Sequence, residues 1–321
     1  MMQINHQNYR QRGVALVLVL WLLALLIVIV SGYNTTMRTE TVLAAHQLKA
    51  AQARALAESG IWLGTSELLK PAVEQIWKTD GTSYSTQYGE GEIQIQLFDE
   101  NGKIDLNTAR VELLHGLLKT TGLSDEESLR LLQSILDWRD RDNLKRQFGA
   151  EDDDYENNGY DYGAKDGPFN SVGELRLVMG MTEPVFQKIF PALTVHSHQP
   201  GINPDVAPKK VLQAIPGMDD TQIEDFLSER NLNIGNSASP PISGIDNRFF
   251  SRARSRIFTV TSEGNIEDSK MRIDAVIMLK ANATPPYSVL SWRESQPRFQ
   301  ENNNDDEPNT DAITDVEEYA D

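Results

Sequence analysis

Residues 14–33 read VALVLVLWLLALLIVIVSGY, directly after Arg12-Gly13, and no charged side chain interrupts them. A helix of this length, rising about 1.5 Å per residue, reaches about 30 Å, the thickness of a bilayer's hydrocarbon core. The leader before it is short, polar and basic, with Arg10 and Arg12. Positive charge ahead of an apolar span keeps the N-terminus in the cytoplasm and sends the remainder outward, into the periplasm of a Gram-negative cell. Three fates of the segment compete. A secretory signal would have a shorter apolar core and a small-x-small cleavage site, which Ser31-Gly32 matches poorly. An uncleaved anchor would keep its leader. Cleavage after Gly13 would remove 1–13 and leave the helix in the membrane, with Val14 as the new N-terminus.

The rest of the chain is soluble in character. Its 321 residues carry a formal net charge of −17, which opposes a general nucleic-acid binder, since binding to phosphates needs positive charge to displace counterions. The same charge suits divalent cations. No cysteine is present, so disulfides, thiolate nucleophiles and zinc-thiolate sites are excluded.

Beyond the apolar run the helix is expected to continue. Leu48, Ala51, Ala55 and Trp62 recur at helical steps and define one face, and Pro71 and Gly81 mark its end. Glu92–Phe98 alternates apolar and polar residues as a half-buried strand does. Asp99-Glu100-Asn101-Gly102 follows as a turn, with Asn-Gly as its hairpin signal. Arg256–Ser262 and Lys270–Leu279 read as two further strands with Gly264 and Asn265 in the turn between them, and Pro285-Pro286 and Ser291–Glu294 close the last strand against the core. Strands at both ends with helical sequence between them predict an α+β fold whose sheet is split by a helical insertion.

That middle carries a weak three-fold repeat. Its copies run from Leu106-Asn107 to Thr121-Gly122-Leu123-Ser124, from Phe169-Asn170-Ser171 to Met179-Gly180-Met181-Thr182, and from Ile202-Asn203 to Ile215-Pro216-Gly217-Met218-Asp219. Each reads as a cap, a short helix, a glycine turn, a second cap and a second helix. Such units resemble helix-hairpin-helix or SAM-like modules. A DNA-binding hairpin would offer a second glycine where Ser124, Thr182 and Asp219 stand, and the surrounding charge is acidic, so packing without nucleic acid is the expectation.

Between the first two copies lie Asp137-Trp138-Arg139-Asp140-Arg141-Asp142-Asn143 and Gly149-Ala150-Glu151-Asp152-Asp153-Asp154, continuing to Asp161. Calcium takes six to eight oxygens of the kind this segment supplies. An EF-hand beginning at Asp154 fails, because Lys165 occupies the position that requires a bidentate glutamate. A solvated acidic loop and an irregular calcium loop both remain open. The interleaved Trp138, Tyr155, Tyr160, Tyr162 and Phe169 favour a segment folded onto the domain. No nucleophile elbow or phosphate loop is present, and His196-Ser197-His198 lacks a spaced metal partner, so no enzyme is expected. The tail from Gln300 has no Lys or Arg and few apolar residues, a composition expected to be disordered.

Arg12-Gly13 before Val14-Ala15-Leu16-Val17-Leu18 resembles the processing site of type IV pilin-like proteins. The resemblance implies a prepilin peptidase that cuts between Gly13 and Val14 and N-methylates Val14. Most members carry a glutamate where this chain has Leu18. That departure is similar to the K-type minor pseudopilins of type II secretion systems, as are Asp137-Trp138-Arg139-Asp140-x-Asp142, Gly149-Ala150-Glu151-Asp152 with Tyr155, and Ser171-x-x-Glu174-Leu175-Arg176. The likeness runs from Arg12 to about Trp292.

It implies a pilin-like long N-terminal helix and antiparallel sheet with a large inserted all-α domain of helical-hairpin repeats. The parts would be a leader (1–13), a transmembrane part (14–33), a stalk with the first strands (34–104), the insertion (105–200), the third hairpin with the remaining strands (201–294), and a tail (295–321). It further implies a single-pass inner-membrane protein with a periplasmic body at the tip of the pseudopilus, acting in secretion and in pseudopilus assembly and length control. Its partners would be the I- and J-type minor pseudopilins and the major pseudopilin. Structural Ca²⁺ would be held by Asp140, Asp142, Glu151 and Asp152, with Asp154 and Asp161 as further candidates. The competing readings are a membrane-anchored helix-hairpin-helix DNA-binding protein of a competence-type system and a tethered metal-dependent periplasmic hydrolase.

Overall fold

Helix α1 (Val14–Leu69) stops just before Pro71. The computed structural model describes residues 14–71, 73–232 and 242–295, without the side chains of 14, 30–36 and 38. The leader with Gly13, and the tail from 296, lie outside these residues. Among the described residues no helix is long and apolar enough to cross a membrane. The described side chains of the apolar run end at residue 29, short of the roughly 20 a span requires. From Leu16 to Ile29 the large apolar side chains are exposed all round the helix.

The C-terminal half of α1 lies on a five-stranded antiparallel sheet made by β1 (Asp80–Tyr88), β2 (Gly91–Asp99), β5 (Ile257–Ile266), β6 (Ser269–Leu279) and β7 (Tyr287–Ser295), in the order β1-β2-β5-β6-β7. The buried face is Ala53, Leu56, Ala57, Gly60, Ile61, Gly64 and Leu68. The face expected from Leu48, Ala51, Ala55 and Trp62 is the exposed one. Contact distance explains the reversal. A Cβ on Gly64 would lie 2.7 Å from Val260, and one on Gly264 would lie 2.1 Å from the Ala53 carbonyl. Helix and strand approach so closely that only small residues fit between them. Trp62 instead closes the edge of the layer, 5.7 Å from the Tyr287 ring and 6.1 Å from that of Trp292.

β2 alternates buried and half-buried residues as its sequence predicts. Its Asn-Gly sequel is not a hairpin. Asp99 caps a 3-10 turn at Glu100–Gly102, accepting from the Asn101 N–H at 2.8 Å, and the chain leaves the sheet there. The hairpin lies on the other side of β2, around Gly89 at φ +61°, and joins it to the unforeseen β1. Gly264 and Asn265 sit inside β5, not in a turn; the reversal is at Glu267, which adopts φ +46°.

Between β2 and β5 come β3 (Ile104–Asp105), α2 (Val111–Lys119), α3 (Asp125–Arg139), α4 (Asp152–Asn157), α5 (Glu183–Ile189), β4 (Leu193–Thr194), α6 (Lys209–Leu212) and α7 (Asp220–Leu232). They build a second core that runs from Ile104 to Phe249 and includes Ile202, Val211 and Phe226, so the division drawn at residue 200 falls inside it. This body is not wholly α: β3 and β4 pair in parallel, and Val172–Leu177 is 3-10 helix. Gly122, Gly180 and Gly217 all take φ between +85° and +88°, the left-handed turn that ends a helix.

A buried polar knot joins the two layers. Glu100 accepts from Lys103 Nζ and Thr259 Oγ1, each at 2.6 Å, and from Thr194 Oγ1. Burial opposes its ionisation, but Lys103 and the two hydroxyls hold its pKa below the ordinary glutamate range.

Candidate metal centre

The acidic segment is organised by the end of α3. Ser124 caps that helix through Glu127, and its last turn carries Asp137 and Trp138 into the core, both side chains buried. Asp137 accepts from Arg146 Nη1 at 2.5 Å, and the same nitrogen reaches Asp140 Oδ2 at 2.5 Å. Gly149 packs on Asp137 so tightly that a Cβ would lie 1.8 Å from its Oδ2. This contact explains the glycine in Gly-Ala-Glu-Asp. The next turn of chain places Glu151 at the start of α4, with its backbone N–H donating to Asp154 Oδ2 at 3.0 Å.

The Glu151 side chain is 5% exposed, and neither carboxylate oxygen has a hydrogen-bond partner among the described residues. Asp140 Oδ1 and Asp166 Oδ1 are likewise buried and unpartnered. Burial, then Asp137, Asp140, Asp166 and Asp152, push the Glu151 pKa up to about 7. Asp166 is raised by burial and by Asp152, Asp140 and Asp142. Carboxylate oxygens buried without a hydrogen-bond partner are costly unless a cation offsets them.

Of the sequence candidates, Asp140 and Glu151 carry these buried unpartnered oxygens, whereas Asp142 and Asp152 are exposed and act on the cluster through their charge. Asp152 Oδ2 accepts weakly from Asn143 Nδ2 at 3.4 Å, and Asp142 Oδ1 accepts from the Leu144 N–H at 3.1 Å. Asp154 is committed elsewhere: it pairs with Lys145 and caps α4. Asp161 is exposed and makes none of these contacts. Asp166 was missed. Its one sequence signal is its place before Gly167, because Asp tolerates the left-handed backbone found here at φ +54°. Among the described residues no group of three or more His, Cys, Asp or Glu side chains is placed so as to hold a metal ion. The donor chemistry nonetheless fits a hard cation, since every orphaned acidic oxygen here is a carboxylate.

Aromatic rings wall the cluster. Trp138 lies 5.8 Å from Tyr155 and 6.3 Å from Phe169, and the Tyr155 hydroxyl accepts from the Met179 N–H at 2.9 Å. The loop is thereby fastened to the second repeat. The hairpin tips, by contrast, are acidic, and Lys209 is paired with Glu224.

Residues 95–198, from within β2 to just past β4 and including the acidic cluster, match the sequence profile described as type II secretion system (T2SS), protein K. Over this segment the chain is similar to that protein. It is 27% identical to type II secretion system protein K of Klebsiella pneumoniae over 57% of this chain and 62% of the relative. It is 26% identical to that of Pseudomonas aeruginosa over 68% of this chain and 72% of the relative. The match thus spans somewhat under two thirds of the Klebsiella protein K. The fold is similar to one in a crystal structure of the GspK-GspI-GspJ complex from the enterotoxigenic Escherichia coli type 2 secretion system. The TM-score is 0.53 and the identity 18%, over 81% of this chain and 99% of that one. The helix-plus-antiparallel-sheet architecture is therefore shared with a chain of that complex.

Proposed function

We propose that this chain is a minor pseudopilin at the tip of a type II secretion pseudopilus, serving protein secretion and pseudopilus assembly and length control rather than catalysis. The observation that carries this reading is the protein K profile across 95–198, the stretch in which the chain leaves its sheet to build a second helical core. The apolar run supports processing after Gly13 and retention of α1 in the inner membrane, with methylated Val14 leading the mature chain. Assembly would draw this helix from lipid into a bundle with I- and J-type minor pseudopilins above the major pseudopilin. The body between β2 and β5 would block a further copy from stacking above it.

Leu18 supports the tip position. In pilin-like proteins a glutamate at this place is thought to neutralise the amine of the subunit already in the filament; a subunit lacking it need not dock beneath another.

Structural calcium would be held by Asp140, Glu151 and Asp166, with Asp152 and Asp142 beside them. Bound there, the ion would supply positive charge that neutralises the cluster. The chain's own residues do the positioning: Arg146 fixes Asp137 and Asp140, Gly149 lets the loop close, and Tyr155 anchors α4.

Deleting the coding sequence should abolish release of type II substrates to the medium, and the full chain should restore it. Normal release from the deletion strain would overturn the reading.

A further inference from the structure

The end of the sheet remote from Ser295 carries an open depression of about 480 Å³ between the start of β5 and the close of β6. Half-buried Ile257, Met278 and Leu279 line it together with exposed Arg256 and Lys280. Elsewhere in the chain Arg248, Arg272 and Arg293 are each matched to carboxylates. Arg256, Lys280 and the nearby Arg254 have no ionic or hydrogen-bonded side-chain partner among the described residues. Three unmatched cations beside an apolar surface, on a chain of net charge −17, call for an acidic peptide segment.

The depression faces away from the apolar half of α1. Gly264 of β5 packs on Ala53, and Val260, nearer the depression, packs on Gly64. The cations thus lie at the end of the sheet farthest from the apolar run, which disfavours lipid headgroups as the ligand.

We propose that the occupant is the chain's own C-terminal tail, through Asp305-Asp306-Glu307. β7 starts at Tyr287, opposite Leu279 beside the depression, and ends at Ser295, opposite Arg272. Returning along it takes eight residue steps, about 27 Å, and the ten steps from Ser295 to Asp305 reach about 33 Å when extended. Asp305-Asp306-Glu307 is the first acidic triplet of the tail, and it falls at that reach. Ala312-Ile313 follow and can cover the apolar surface. The docking is independent of the secretion reading.

The test is zero-length carbodiimide coupling of the detergent-solubilised full chain at low salt, read by peptide mass spectrometry on a mixture of ¹⁴N- and ¹⁵N-labelled protein. The expected product is an amide between Lys280 and one of Asp305, Asp306 or Glu307 within a single copy. Its yield should fall at least about fivefold in Arg256→Glu and in 0.5 M salt. Arg256 is exposed, so that variant should fold, and an unchanged melting curve verifies it. No such product, a product joining two copies only, or a yield indifferent to Arg256→Glu overturns the proposal.

Discussion

At the scale of single residues, two contacts make sharp demands. A methyl group on Gly149 would displace the buried Asp137 carboxylate from Arg146. Gly149→Ala should therefore cost about 2–4 kcal/mol in urea unfolding, in line with overpacking beside a buried ion pair. Asp99 gives a pH signature. Burial raises its folded pKa from 3.8 to about 6 against the hydrogen bonds of Ser255 and the Asn101 N–H. The folded state then holds the proton over a range where the unfolded chain has lost it. This contribution to stability is complete below about pH 4, declines as pH rises, and is gone above about pH 6. Asp99→Asn keeps an acceptor for the Asn101 N–H, so it should remove the decline and stabilise the chain at pH 7 by about 2 kcal/mol relative to wild type. Equal pH slopes for the two proteins would refute this assignment. At this scale the sequence revealed acids in abundance but not which ones converge. Asp154 and Asp166 are both acids of a Gly-containing loop, and only the folded backbone sends one to Lys145 and the other beside Glu151.

At the scale of elements, the junction of α1 with β5 is the tightest packing against backbone in the pilin-like part. A Cβ on Gly264 would meet backbone atoms, the Ala53 carbonyl at 2.1 Å and the Ala57 nitrogen at 2.6 Å. These atoms belong to a helix and have no rotamer to adopt. Gly264→Ala should lower stability by about 2–4 kcal/mol by lifting the helix from the sheet, measurable as a lower urea midpoint and loss of near-ultraviolet signal from Trp62 and Trp292. The same junction shows why one helical face was misread. Hydrophobic periodicity selects large side chains, whereas this interface selects small ones, so Leu48 and Trp62 drew attention away from Ala53, Ala57, Gly60 and Gly64. β2 was legible because one of its faces is fully buried; β1, with sequence DGTSYSTQY, is a largely exposed edge strand and carries no alternation to read. The Asn-Gly at 101–102 has the chemistry of a hairpin, but the buried Glu100 knot fixes the chain in a turn out of the sheet.

At the scale of the whole molecule, two cores are joined through Glu100 and Lys103, and the acidic cluster lies within the second core. If calcium binds that cluster, it stabilises the folded state by mass action. The melting temperature of the purified chain should then rise with millimolar calcium and fall with a chelator, and Glu151→Gln should shrink the shift. A melt unaffected by either addition would remove calcium from the account. The helix-and-sheet plan was readable because an uninterrupted apolar run and an alternating strand each leave a strong periodic trace. The extent of the second core was not, because nothing in the stretch after β4 marks Ile202, Val211 and Phe226 as packing with the first two hairpins rather than with the sheet. The central claim is that the chain is processed and assembled as a pseudopilin. N-terminal sequencing of the chain extracted from membranes of cells with an intact type II system tests it most directly: the account predicts N-methylated Val14 as the first residue, and a chain still beginning at Met1 would contradict it.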